Sequence, residues 1–104
     1  MQTNSSPLLD EWTHDTLPLN VRLGKDSKII GDHAFKRFHS REANALVIGR
    51  HCTMDGVHFA IGDKGRITIG DFCYFTNAVL LCELEVRIGS YVVIGWNATI
   101  ADTD

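Results

Sequence analysis

Five histidines, three cysteines and one basic–aromatic cluster are the side chains of this 104-residue chain with the most obvious chemistry to offer. Histidine and cysteine together suggest zinc, which needs three or four ligands converging at about 2 Å. His51 and His58 stand seven residues apart and would lie on different faces of a coil of short strands. His14, His33 and His39 fall in a stretch without regular pattern, so no metal site is expected. The cysteines Cys52, Cys73 and Cys82 are odd in number and form no C-x-x-C pair, which weighs against a zinc knuckle or a disulfide framework. Reduced, buried thiols in a cytoplasmic protein are the ordinary reading. Positive charge gathers in one place, where Lys36, Arg37, His39 and Arg41 surround Phe35 and Phe38. A solvated loop beside two core anchors is the commonest use of such a run, and anion binding is the sharper one.

The elements that must position these groups show themselves as a repeat. From residue 48 onward an aliphatic residue followed by glycine keeps returning: Ile48-Gly49, Ile61-Gly62, Ile69-Gly70, Ile88-Gly89 and Ile94-Gly95. The intervals Ile48 to Ile69 (69 − 48 = 21) and Ile69 to Ile88 (88 − 69 = 19) both lie just above three sixes. Six-residue steps are visible inside them: Ile48 to Met54, then Ile69 to Phe75 to Leu81, then Ile88 to Ile94 to Ile100. The excess fits short insertions near Asp63–Gly65 and Glu83–Glu85. Four residues after the aliphatic position many units carry a thin side chain: Cys52, Cys73, Val79, Val92 and Ala98.

Neither an α-helix nor a hairpin sheet returns every six residues. A coil of three short strands and three turns does, and successive coils would stack about 4.8 Å apart around a continuous core. The expected fold is therefore all-β, a parallel β-helix of about three to four coils, with regular coils over residues 48–104. Residues 20–47 read as an irregular first coil with a polar excursion, completing a β-helix domain over 20–104. Residues 1–19 read as an N-terminal arm or cap anchored by Leu8, Leu9 and Trp12. In this register Cys52 and Cys73 stack as packed small hydrophobes. Cys82 follows an inward Leu81 and should point outward as the most reactive thiol. His58 takes a thin inward corner position or marks a slip of register. Tyr74, Phe75 and Trp96 could form an exposed aromatic strip, for subunit contact or sugar stacking.

Composition narrows the class. A chain of this length buries roughly 60–70% of its unfolded surface, enough for one small core. Hydrophobic residues make up 44% and charged residues 22%, and the net charge of −3 gives no electrostatic reason to expect nucleic acid. No apolar run is long enough to cross a bilayer, and "MQTNSSPLLDEW" lacks the features of a signal peptide.

The pattern from "TIGDFCYFTNAVL" through "RIGSYVVIGWNATIADTD" resembles the hexapeptide-repeat acyltransferases, whose β-helix is left-handed. It is most similar to the sugar O-acetyltransferases of galactoside, maltose and capsule or exopolysaccharide type. That resemblance implies a homotrimer, acetyl-CoA as co-substrate, a sugar or glycan acceptor, and an active site in the groove between neighbouring prisms. It also implies a histidine general base shortly after the unit Ile94–Ile100, one or two positions beyond Asp104. The base must have a pKa near neutrality to take the acceptor's hydroxyl proton. Asn97 matches an asparagine that contacts the acceptor, and Asn77 falls near a second one with a shift of one residue. Asp102 and Asp104 occupy the loop before the expected base. The plainer alternatives are left-handed turns for the asparagines and solvated carboxylates for the aspartates.

By the same resemblance the basic run around Phe35 could meet the phosphates of CoA or an acidic sugar. The family also includes γ-class carbonic anhydrases, which hold zinc with three histidines from adjacent subunits, but their paired-histidine spacing is not present here. Two function classes follow. One is an acetyl-CoA-dependent O-acetyltransferase, expected to be inactive as these 104 residues alone because the base falls outside them. The other is a non-catalytic β-helix module or truncated gene product that acts through oligomerisation, as a trimer or as a dimer stacked through an open coil end.

Overall fold

The computed structural model describes residues 11–12 and 17–102, with the backbone alone at 11–12. Leu8, Leu9, His14 and Asp104 lie outside the described residues. Aliphatic residues alternate with polar ones over only two to four positions before a turn intervenes, and short strands are the result. The described strands, in chain order, are β1 (Glu11–Trp12), β2 (Val21–Leu23), β3 (Lys28–Ile30), β4 (Leu46–Ile48), β5 (Thr53–Asp55) and β6 (His58–Ile61). They continue with β7 (Arg66–Ile69), β8 (Tyr74–Thr76), β9 (Val79–Cys82), β10 (Glu85–Ile88), β11 (Val93–Ile94) and β12 (Thr99–Ala101).

No short strand of this kind is stable by itself, so each pairs in parallel with its equivalent one coil away. Three sheets result: β2-β4-β7-β10, β3-β5-β8-β11 and β6-β9-β12. The chain visits them in turn, which makes the molecule a parallel β-helix of about four coils. The N-terminal segment departs from the parallel rule. Strand β1 lies antiparallel on the lower edge of the second sheet, with Trp12 opposite Ile29, and so covers an edge that would otherwise invite pairing.

The core is a set of columns running along the axis. Val21, Leu46, Ile67 and Val86 form one, and Ile29, Met54, Phe75 and Ile94 another. Phe59, Leu80 and Ile100 form a third. The middle members are fully buried, and each such side chain contributes roughly 1.5–3 kcal/mol by leaving water. Cys52 and Cys73 stack at the first corner, as their spacing implies, with the Cys73 N–H 3.5 Å from Cys52 Sγ. Each thiol donates to a carbonyl of the coil above: Cys52 to Gly70 at 3.1 Å and Cys73 to Gly89 at 3.2 Å.

The third sheet departs from the six-step expectation. Along β9 the buried residues are Leu80 and Cys82, whereas Val79 and Leu81 face outward. Cys82 is therefore inside, at 1% exposure, donating to the Arg66 carbonyl at 3.3 Å. Burial pushes its thiol up to about 11, the opposite of a reactive cysteine. The shift arises because the step from Phe75 to the next inward residue is five. Val57, fully buried, likewise takes the thin inward place of the preceding coil, and His58 turns outward on β6.

In the lowest coil, residues 32–44 replace a regular third strand. Phe38 bridges to Ile61, the His39 N–H donates to the Ile61 carbonyl at 2.8 Å, and Phe35 packs on Phe59 with ring centroids 5.9 Å apart. The buried Ser40 hydroxyl donates to the Gly65 carbonyl, and the Asn20 amide donates to the Ser40 and Glu42 carbonyls. The excursion is thereby tied to the start of its own coil and to the coil above it.

Candidate functional site

Turning the chain between the second and third sheets requires a left-handed residue, and three consecutive coils supply Gly56, Asn77 and Asn97 with φ of 70°, 50° and 63°. Asparagine tolerates this region better than most residues. The Asn97 N–H donates to the Asn77 carbonyl at 3.1 Å and the Asn77 N–H to the Asp55 carbonyl at 2.8 Å, so the two asparagines form one column on successive coils. The Asn77 amide oxygen stands where a Cβ on Gly56 would be, folded down onto the coil below, whereas Asn97 is exposed.

Asp102 sits at the far end of β12, at the opposite corner. Its carboxylate accepts the N–H groups of Glu83, Leu84 and Glu85, each at 2.8 Å, and those bonds hold it below the usual carboxylate range, the Glu83 bond first. The structure thus brings Asn77 and Asn97 together and places Asp102 elsewhere, as the acceptor that closes a turn.

Beside the asparagine corner, the outer face of the third sheet carries the concave feature that matters. A groove of about 380 Å³ is lined by Lys36, Arg37, His58, Ala60, Val79 and Leu81. Its floor is the outward half of β6 and β9, where Val79 lies over His58 and Leu81 over Ala60. Its cationic end comes from the excursion at 32–44. A second hollow of about 370 Å³ continues past Arg37 and His39 to Glu83. Arg41, the remaining member of the basic run, pairs with Asp63 at 3.3 Å on the surface.

His58 is stacked on His33, with ring centroids 4.1 Å apart and the planes at 29°. Its imidazole is held below its ordinary value by burial first, then by the nearby His33, Arg37 and Lys36 charges. The ring is therefore predominantly neutral at pH 7 and able to accept a proton. Chemically, the groove offers an apolar floor, fixed positive charge at one end and an imidazole between them, which suits an anion with an apolar body.

The sequence alone missed two groupings. One is the His33–His58 stack, whose members are 25 residues apart. The other stands at the first corner, where His51, Phe72 and Tyr91 occupy left-handed positions with φ of 55°, 57° and 61°. Their rings stack at 5.1 and 5.2 Å with planes within 8°, and His51 Nε2 lies 3.7 Å from the Asp26 carboxylate. The 21- and 19-residue steps that place these rings were legible, but nothing in their residue types marks a turn. Of the strip expected at Tyr74, Phe75 and Trp96, Phe75 is fully buried in the core, while Tyr74 and Trp96 are exposed.

Among the described residues, no three His, Cys, Asp or Glu side chains are grouped to hold a metal ion. The chain matches no known protein family, no curated protein and no solved structure.

Proposed function

We propose that this β-helix serves an acetyl-CoA-dependent O-acetyltransferase acting on a sugar hydroxyl, in a homotrimer. The observation that supports this reading best is the groove on the third sheet. Ala60, Val79 and Leu81 give an apolar floor for a pantetheine arm, and Lys36 and Arg37 give cations for the phosphates at one end. The Asn77–Asn97 column borders it two residues before Val79 and Thr99, where an acceptor's hydroxyls would meet the exposed Asn97 amide. No histidine follows His58 in the sequence, so residues 1–104 on their own are expected to bind the cofactor without transferring its acetyl group.

Thermal unfolding in the presence of acetyl-CoA tests this, since a ligand that binds only the native state must stabilise it. At a concentration 100 times Kd the gain is about 2.7 kcal/mol, or several degrees in Tm for a domain of this size. The rise should vanish in the double variant Lys36→Ala/Arg37→Ala. An unchanged Tm at millimolar acetyl-CoA would sink the reading.

A second reading, a β-helix module acting through assembly, is favoured by the outer edges of β10, β11 and β12. Among the described strands, none pairs with them, and unpaired edges invite association. Oligomers in analytical ultracentrifugation together with no acetyl-CoA affinity would select that reading.

A further inference from the structure

We propose that His33 and His58, with Lys36 and Arg37, form a binding site for a phosphate-type dianion in which anion binding is coupled to proton uptake by the histidine pair. The inference deepens the cofactor reading and rests on it only for the source of the phosphate. The anion site itself stands on the side chains.

Two imidazoles stacked at 4.1 Å cannot both carry a proton cheaply, because like charges at that distance oppose each other. Lys36 and Arg37 line the groove with His58 and add fixed positive charge on the same side. The carboxylate nearest the pair is Asp32, 3.4 Å from His33 Nδ1 and largely exposed. On the sheet side His58 has only Ala60, Val79 and Leu81 as groove neighbours, none of which titrates. Without a ligand the site is therefore a cluster of cations and a suppressed imidazole with no negative partner inside the groove. Consistent with this, His58 lies below its ordinary value.

A dianion in the groove reverses the balance. It neutralises Lys36 and Arg37, and each imidazole gains an acceptor for its N–H, so the protonated form becomes the favoured one. Proton uptake and anion binding then strengthen each other by the same factor, as linkage requires. The sign is fixed: anion affinity rises as pH falls through the range in which the free His58 ring is neutral. With one proton taken up, the slope approaches tenfold per pH unit. A cluster of lysines and arginines alone would show no such slope between pH 8 and 6, because neither titrates there.

Sulfate is the clean probe, since it stays divalent across that range, and acetyl-CoA tests the phosphate source. Isothermal titration of the full 104-residue chain at pH 8, 7 and 6 should show sulfate binding tighten by up to about tenfold per unit. Two-dimensional NMR should show the His58 ring titrating at higher pH with sulfate than with chloride. His33→Gln and His58→Gln should flatten the slope, and the NMR shift in the unmutated chain carries the test should either variant misfold.

Four outcomes are distinguishable. Tight acetyl-CoA and sulfate binding, both pH-dependent, supports the site and the cofactor reading together. Sulfate binding without pH dependence overturns the histidine coupling, and acetyl-CoA affinity beside it leaves the cofactor reading standing. pH-dependent sulfate binding without acetyl-CoA affinity supports the site and removes the cofactor. Binding of neither ligand overturns both.

Discussion

At the residue scale, the left-handed corners show how a coil chooses its side chains. Asn77 and Asn97 occupy such corners at little cost, whereas Phe72 and Tyr91 each sit in a region that costs a bulky residue about 1 kcal/mol or more. Ring stacking at 5.2 Å returns about 0.5–1.5 kcal/mol per pair, so the ladder roughly offsets the strain of building it. The cysteines give a prediction at this scale. Cys82 is buried, and its thiol is raised to about 11 from an ordinary value of 9.0. A group raised in the folded state stabilises fully below its unfolded value and loses that contribution as pH rises through the folded one. Urea denaturation should therefore give unchanged stability from pH 7 to about 9 and a decline from there towards 11, which Cys82→Ala should reduce. A thiol reagent at pH 7.5 should leave Cys52, Cys73 and Cys82 unlabelled until the protein is unfolded. Rapid labelling of Cys82 in the native state would contradict its placement.

At the element scale, the first two sheets were legible in the sequence and the third was not. An aliphatic residue followed by glycine closes β4, β7, β10 and β11, so their inward positions announce themselves. Of the strands in the third sheet, only β6 ends on that pair. Strand β9 reads Val-Leu-Leu-Cys, four apolar residues with no polar partner to say which face is inside. That is why Leu81 and Cys82 exchanged roles, whereas His58 faces outward because the thin inward place falls one residue earlier, at Val57.

A pair of substitutions measures the difference. Leu80→Ala removes a fully buried side chain and should cost about 2–5 kcal/mol. Leu81→Ala trims the outward floor of the groove and should cost less than about 1 kcal/mol. Chemical denaturation of the two variants checks this, and equal losses would return β9 to the six-step register. The candidate groove was hidden for a different reason. The first coil is longer than the rest, with Ile29 paired to Met54, 25 residues on. Only that added length carries His33, Lys36 and Arg37 up against His58.

At the scale of the whole molecule, each coil touches only its neighbours, and local stability should vary along the axis accordingly. Strands β3, β4, β5, β7, β8 and β9 have partners on both sides, and among them the strands of the regular coils should exchange their amides with solvent most slowly. The amides of β10 and β11 should exchange faster in a monomer. Hydrogen exchange read by mass spectrometry checks the order, and slow exchange in β10 and β11 would reveal a partner on that edge.

The near-constant register has a kinetic meaning as well. In the regular coils every ladder contact joins residues 19 to 21 apart, from Ile48 with Ile69 to Val79 with Thr99. Closing a loop costs entropy that depends on its length. Each regular coil therefore faces nearly the same closure barrier, and no sheet waits on a distant strand. The nucleus is free to form at any of the regular coils and zip in both directions, with the 25-residue first coil joining after the others. A prism built this way could lengthen by whole coils without folding more slowly at any step.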